Sequence, residues 1–213
     1  MGSDPFSLGV LVSGRGSNLQ AIIDAVAERR LDARVAVVIS NRADAQGLTR
    51  ARDAGIEALC VDHRAFADRA AFEQALVREL RARKVGLVCL AGFMRILGPD
   101  FLEAFPNAIL NIHPSLLPAF PGVNAQLQAW RYGARISGVT VHLVTDALDG
   151  GPIVLQASVP VRDDDTPETL AARILVEEHR IYPEAIALVL EGGWRIDGRR
   201  FVRDRPDPRS TRR

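Results

Sequence analysis

The chain is short of cysteine, lysine, aromatic residues and long apolar runs. Cys60 and Cys89 are its only cysteines, they have no Cys-x-x-Cys spacing, and each lies inside an apolar run. That excludes a disulfide scaffold and predicts two buried free thiols in a reducing compartment, with the cytoplasm as the expected location. No uninterrupted apolar stretch approaches the roughly 20 residues of a membrane span. The start, Met1-Gly2-Ser3-Asp4-Pro5-Phe6-Ser7, lacks the basic-then-apolar layout of a signal peptide and reads as an expression-vector remnant outside the fold. The four histidines fall at no zinc spacing and no His-Glu-x-x-His occurs, so no metal is expected. Lys84 is the single lysine, and every other basic residue is Arg.

What remains is ordinary for a soluble globular domain: 213 residues, 47% hydrophobic and 25% charged. A chain of that length buries about 70% of its unfolded surface and needs neither disulfide nor metal to fold. The net charge of +1 is unevenly spread. Residues 199–213 carry seven Arg against two Asp, a charge of +5, so the rest of the chain sums to −4. A mildly acidic body with a basic, Pro-containing tail (203–213) speaks against nucleic acid as a partner, and the tail reads as solvated.

The patterning alternates strand and helix. Short apolar runs at 8–12, 35–39, 56–61, 85–90 and 108–112 read as buried strands. Ser17-Asn18-Leu19-Gln20 reads as a capping box opening a helix, 45–54 as a second helix and 69–83 as a third, with Phe72, Leu76 and Leu80 on one stripe. Further on, 125–132 reads as a helix, 138–144 and 153–161 as strands, and 146–152 as a loop. Thr166-Pro167-Glu168 is a helix start running to about Leu190, followed by a hairpin over 194–202. The triple Asp163-Asp164-Asp165 reads as a solvated turn, and His63 and His179 as surface or structural. Near-continuous apolar strands each followed by a helix predict an α/β fold, an open, mostly parallel twisted sheet with helices on both faces. One domain is expected over 8–202, its halves being 8–105 and 106–202.

Three constellations have chemical potential. Ser13-Gly14-Arg15-Gly16-Ser17-Asn18 joins the first strand to its helix, where glycine backbone and the positive end of a helix suit an anion. It is neither a P-loop nor a full dinucleotide fingerprint, and a monophosphate fits it better. A tight turn with an ordinary cap accounts for those six residues equally well. Asn111 and His113 share a face at the end of the fifth strand, an amide donor beside a group that shuttles protons near neutral pH. Taken alone, such a pair is more often a polar strand ending. Asp149, ahead of two glycines, is on local grounds more often a turn residue. Thr140 and His142 alternate on the next strand and share a face. The glycine loop, the Asn111/His113 pair and the run Ala91-Gly92-Phe93-Met94-Arg95-Ile96-Leu97 all follow strand ends, where open parallel sheets bind ligands.

The residues 14–22, Ser40-Asn41-Arg42-Ala43-Asp44, 91–97, Leu110-Asn-Ile-His-Pro-Ser-Leu-Leu-Pro118, Asp149-Gly-Gly-Pro152 and Glu178-His179 together resemble the folate-dependent phosphoribosylglycinamide formyltransferases. The resemblance spans about residues 8–190, in the family's order. It implies the formyltransferase fold with a Rossmann-like amino-terminal half that binds phosphate and a carboxyl-terminal half for catalysis and folate. It implies transfer of a formyl group, in purine synthesis, from 10-formyltetrahydrofolate as cosubstrate to the amine of glycinamide ribonucleotide, both small molecules. It also implies site roles. Asn111, His113 and Asp149 would be catalytic, and Gly16, Ser17, Asn18 and Glu178 would hold glycinamide ribonucleotide. Leu90, Met94, Arg95, Ile96, Leu97, Ile109, Asp146, Ala147, Leu148, Gly150 and Gly151 would line the folate site. The sequence departs from many relatives at Ala119 and over Pro121-Gly122-Val123-Asn124, so the role of 119–126 is not carried over. Methionyl-tRNA formyltransferases and formyltetrahydrofolate deformylases share the Asn-x-His core but usually carry an additional domain, which makes them the rival readings. A bare nucleotide-binding module would not need the trio. Oligomeric state is not legible in the sequence, a homodimer included.

Overall fold

The computed structural model describes residues 5–204; residues 1–4 and most of the basic tail, from 205 on, lie outside the described residues. The first half of the chain alternates β1 (Phe6–Val12), α1 (Ser17–Ala27), β2 (Ala33–Ser40), α2 (Gln46–Asp53), β3 (Ala58–Cys60), α3 (Arg69–Ala82) and β4 (Leu87–Leu90). Then come α4 (Pro99–Ala104), β5 (Ile109–His113), α5 (Ala125–Tyr132), β6 (Ile136–Leu143), β7 (Ile153–Pro160), α6 (Pro167–Leu190), β8 (Trp194–Asp197) and β9 (Arg200–Arg203).

Among the described residues the strands form one sheet in the order β3-β2-β1-β4-β5-β6-β7-β9-β8. The strands from β3 to β5 pair in parallel, as the strand-helix alternation requires. At β5 the sense changes: β6 runs antiparallel to β5, and β7 antiparallel to β6.

The two-residue period of each strand sorts its side chains between two cores. Leu8, Val10 and Val12 of β1, Leu110 and Ile112 of β5, and Val139, Val141 and Leu143 of β6 pack with Leu19 and Ile22 of α1 and Ile174 and Ile181 of α6. Leu11, Val88, Leu90 and Ile109 face the other way, toward Phe72, Leu76 and Leu80 of α3 and Phe101 of α4. Asn111 and His113 fall on the second face, and so do Thr140 and His142.

Several sequence expectations change. Phe6 and Ser7 belong to β1 rather than to a remnant outside the fold, since Phe6 pairs with Ala33 and its ring fills the space beside Gly86. The capping box at Ser17 does not form. Gly16 in the left-handed conformation caps α1, and no side chain bonds its first amides. Cys60 ends the short β3 near the sheet edge and is exposed, whereas Cys89 is buried. Asp165 is no solvated turn: its carboxylate is buried, takes the Arg162 N–H at 2.7 Å and pairs with Arg173 at 2.5 Å. Asp163 is exposed, as a surface turn requires, and pairs with Arg135. At Thr166 the expected start is met, with a reciprocal bond to Thr169 and Pro167 at the first helical position.

Candidate functional site

The antiparallel pairing of β5 with β6 builds the polar centre. Asn111 lies opposite His142, and His113 opposite Thr140. Directly opposed residues project to one side of a sheet, so four polar side chains form a patch where apolar pairs would otherwise stand. Asn111 Nδ2 is 3.2 Å from His142 Nε2, and His142 Nδ1 donates to the Leu143 carbonyl at 2.9 Å. Thr140 Oγ1 donates to the Ser115 carbonyl at 2.7 Å and accepts the Leu117 N–H at 3.0 Å, which fixes the chain as it leaves β5.

The loop after β6 arches back over this patch and delivers Asp149, at φ +48°. Its Oδ2 is 3.4 Å from His113 Nδ1, and its Oδ1 is 3.7 Å from His142 Nε2. Burial alone would push the Asp149 carboxyl up, but His142, the Gly122 N–H at 2.7 Å and the charge of His113 hold it below the usual carboxylate range. His113 is 5% exposed, and its Nε2 meets the Phe120 carbonyl at 2.9 Å. The segment after β5 thus covers the trio, touching both His113 and Asp149. His142 is the functional-site member that a strand-by-strand reading leaves out. Its alternation with Thr140 is visible in the sequence, but its approach to Asn111 depends on register.

The residues expected to hold phosphate gather elsewhere on the same edge. Gly16 has φ +70°, and a Cβ there would lie 2.7 Å from the Gly47 Cα, so glycine alone lets the loop reach the start of α2. The opening amides of α1 are left without a side-chain cap and carry the helix's positive end. Glu178 of α6 is buried and accepts from Asn18 Nδ2 at 2.6 Å, while Asn18 Oδ1 has no partner. Burial pushes the Glu178 carboxyl up, and Asn18 and Arg15 draw it back in part. A cavity of about 700 Å³ runs from Ser13–Asn18 past Met94 and Glu178 to Ile112 and Pro114, the neighbours of His113.

The residues expected along the folate side divide. Leu90 and Ile109 are buried beside the Asn111 face, and Leu97 packs with Phe93 into the core over α3. Met94, Arg95 and Ile96 are exposed, as are Asp146, Ala147 and Leu148. Gly150 closes a turn by donating to the Ala147 carbonyl at 3.0 Å. His63 and His179 stand apart from the centre. His63 lies beside Asn41 and Asp62, and His179 borders a separate cavity with Ser17 and Arg50. Among the described residues no group of three or more His, Cys, Asp or Glu could hold a metal, and no helix is long and apolar enough to cross a membrane.

Comparison with known proteins converges on one group. The chain is 47% identical over 190 residues to phosphoribosylglycinamide formyltransferase of Escherichia coli, covering 89% of this chain and 87% of that one. The bovine trifunctional purine biosynthetic protein adenosine-3 is 46% identical over 187 residues, and there the match spans 18% of the relative's length. The crystal structure of glycinamide ribonucleotide transformylase 1 from Symbiobacterium toebii superposes with a TM-score of 0.91 at 59% identity, covering 92% of this chain and 93% of that one. Residues 7–186 match the family described as formyl transferase, a span that takes in strands β2 to β7, the reversal at β5 and the Asn111–His113 strand end, and the chain belongs to the formyl transferases.

Proposed function

We propose that this chain transfers the formyl group of 10-formyltetrahydrofolate to the primary amine of glycinamide ribonucleotide, releasing tetrahydrofolate, a step of purine synthesis. The observation that carries the reading is the assembly of Asn111, His113 and Asp149 from two separate stretches, with Asp149 3.4 Å from His113. Near-full-length relatives bearing the transferase name support the choice of acceptor.

The roles follow from the chemistry. The amine nitrogen forms a bond to the formyl carbon, and the carbonyl electrons move onto oxygen. Asn111 donates an N–H to that oxygen, and the His113 ring beside it stabilises the developing charge through its field. Collapse of the adduct breaks the bond to the folate nitrogen, which takes up the proton the amine gives away. Asp149 sets its negative charge 3.4 Å from the His113 ring while that charge develops. His142 sits between Asn111 and Asp149 and holds both in register. The amides at Gly16–Asn18 take the phosphate of the ribonucleotide, and Glu178 sits beside them. Leu90 and Ile109 give the folate an apolar wall, with 94–97 and 146–151 at its sides. Holding both reactants at one edge supplies much of the acceleration.

The deciding experiment incubates the protein with 10-formyltetrahydrofolate with and without glycinamide ribonucleotide. Tetrahydrofolate should form only with the amine present, matched by formylated ribonucleotide. Tetrahydrofolate and formate without the amine would make the chain a deformylase, and no turnover in either case would leave a binding module.

A further inference from the structure

Residues 92–98 run from the end of β4 to the cap of α4 without regular backbone. Such a stretch must satisfy its amides from elsewhere. Two side chains remote in sequence do this. Ser13 Oγ accepts the Met94 N–H at 2.8 Å and donates its own proton to Asn41 Oδ1 at 2.6 Å. Glu73 Oε1, from α3, accepts the Gly98 N–H at 2.8 Å. Both residues are buried, Glu73 to 2% exposure. Phe93, just before the first bond, and Leu97, just before the second, are sunk in the core, and Met94, Arg95 and Ile96 stand outward.

Burying a carboxylate costs free energy that an apolar residue at the same place would not. Burial pushes the Glu73 carboxyl up, against the pull of the Gly98 amide and of Arg69, whose Nε is 3.5 Å away. The partner is shaped to receive it, since a Cβ on Gly98 would lie 2.9 Å from Glu73 Oε2 and 3.0 Å from Arg69 Nη2. Glu73 lies on α3, away from the Asn111–His113–Asp149 centre, and makes no bond to it.

We propose that Glu73 is a positioning residue for the folate side of the reaction: through the Gly98 amide it sets the height at which Met94, Arg95 and Ile96 meet the cosubstrate, and Ser13 does the same at the other end. This rests on the reading that 94–97 faces the folate.

Glu73→Leu keeps much of the volume and removes the acceptor. It should raise KM for 10-formyltetrahydrofolate about tenfold, the scale of one buried amide left unsatisfied. KM for glycinamide ribonucleotide and kcat at saturating folate should stay within about twofold. Glu73→Gln, whose amide oxygen still accepts from Gly98, should recover most of the loss. Ser13→Ala frees the Met94 N–H by a far smaller change, should move the same KM in the same direction, and decides the matter if Glu73→Leu does not fold. An unchanged folate KM, an equal rise in both KM values, or no recovery with Gln overturns the proposal, as does a silent Ser13→Ala beside an unfolded Glu73→Leu. Arg95→Ala run alongside separates the layers. If it raises the folate KM while Glu73→Leu does not, only the positioning role falls. If neither moves it, the folate reading of 94–97 falls and the proposal with it.

Discussion

Replacing Asp149 by Asn removes a charge and little else. The φ of +48° is one that Asn adopts as readily as Asp. An Asn oxygen can still accept the Gly122 N–H, which Asp149 takes at 2.7 Å. What disappears is the attraction to His113 at 3.4 Å and to His142 at 3.7 Å. At the shorter separation and an effective dielectric of about 20, one unit-charge pair attracts by about 5 kcal/mol. The side chain is 10% exposed, so solvent screens part of this, and the amide dipole that replaces it restores a little more. Half of the gross attraction, about 2.5 kcal/mol, corresponds to a loss of about 70-fold in transfer. The assay is a single-turnover measurement with enzyme in excess, quenched and resolved for formylated ribonucleotide, with melting temperature and ribonucleotide binding as controls. A rate within about threefold of the parent, in a variant that melts normally, refutes the charge argument and leaves Asn111 and His113 to act without Asp149.

Other substitutions test separate links. Gly16→Ala forces a β-carbon into a left-handed residue and against Gly47, so it should cost about 1–2 kcal/mol in thermal unfolding and weaken inorganic phosphate binding measured by calorimetry. Arg173 first, then the Arg162 and Thr169 donors, hold the Asp165 carboxyl well below the usual carboxylate range. The stability it brings is complete above its unfolded pKa and is lost as pH falls through the folded one. Asp165→Asn should therefore lower the melting temperature at pH 7, and the gap to the parent should close in acid. Glu178 is the opposite case. Its carboxyl is raised by burial, so its favourable contribution is full only below the unfolded pKa and fades as pH rises through the folded value. Glu178→Gln should raise the melting temperature at pH 8, give no gain at pH 4, and raise KM for the ribonucleotide.

Local chemistry made some parts legible and long-range register hid others. The helix over 125–132 is read from the sequence with the bounds the structure shows, because its apolar spacing and the Gly133 stop are local signals. Thr166-Pro167 is equally local. Asn111 and His113 are found by strand periodicity, which needs no partner strand. His142 needs the antiparallel register of β6, and Asp165 needs Arg173 eight residues on, a pairing that three consecutive Asp residues do not suggest. Helix α4 is too short for periodicity to register, and only Gly98-Pro99 marks its start. The cap at Ser17 fails because Gly16 takes the capping position and the Gln20 side chain turns to Asp24 and to Arg50 of α2, the latter a partner that no window around residue 17 contains.

Helix α6 ties together the two regions that the proposed function assigns to the two reactants. Glu178 and Tyr182 lie one turn apart on it. Glu178 reaches Asn18 after the glycine loop, while the Tyr182 hydroxyl meets the Leu90 carbonyl at 2.9 Å and the Leu110 carbonyl at 3.1 Å. Leu90 ends β4, and Leu110 precedes Asn111. If the proposed roles hold, the distance between the amine and the formyl carbon is gauged from one rigid rod rather than accumulated through a chain of loops, each with its own error. A misplacement of about 1 Å can cost 10²-fold in rate. Referring both sides to neighbouring turns of a single helix makes any drift of that helix common to them, so that it moves the pair together and cancels in their separation.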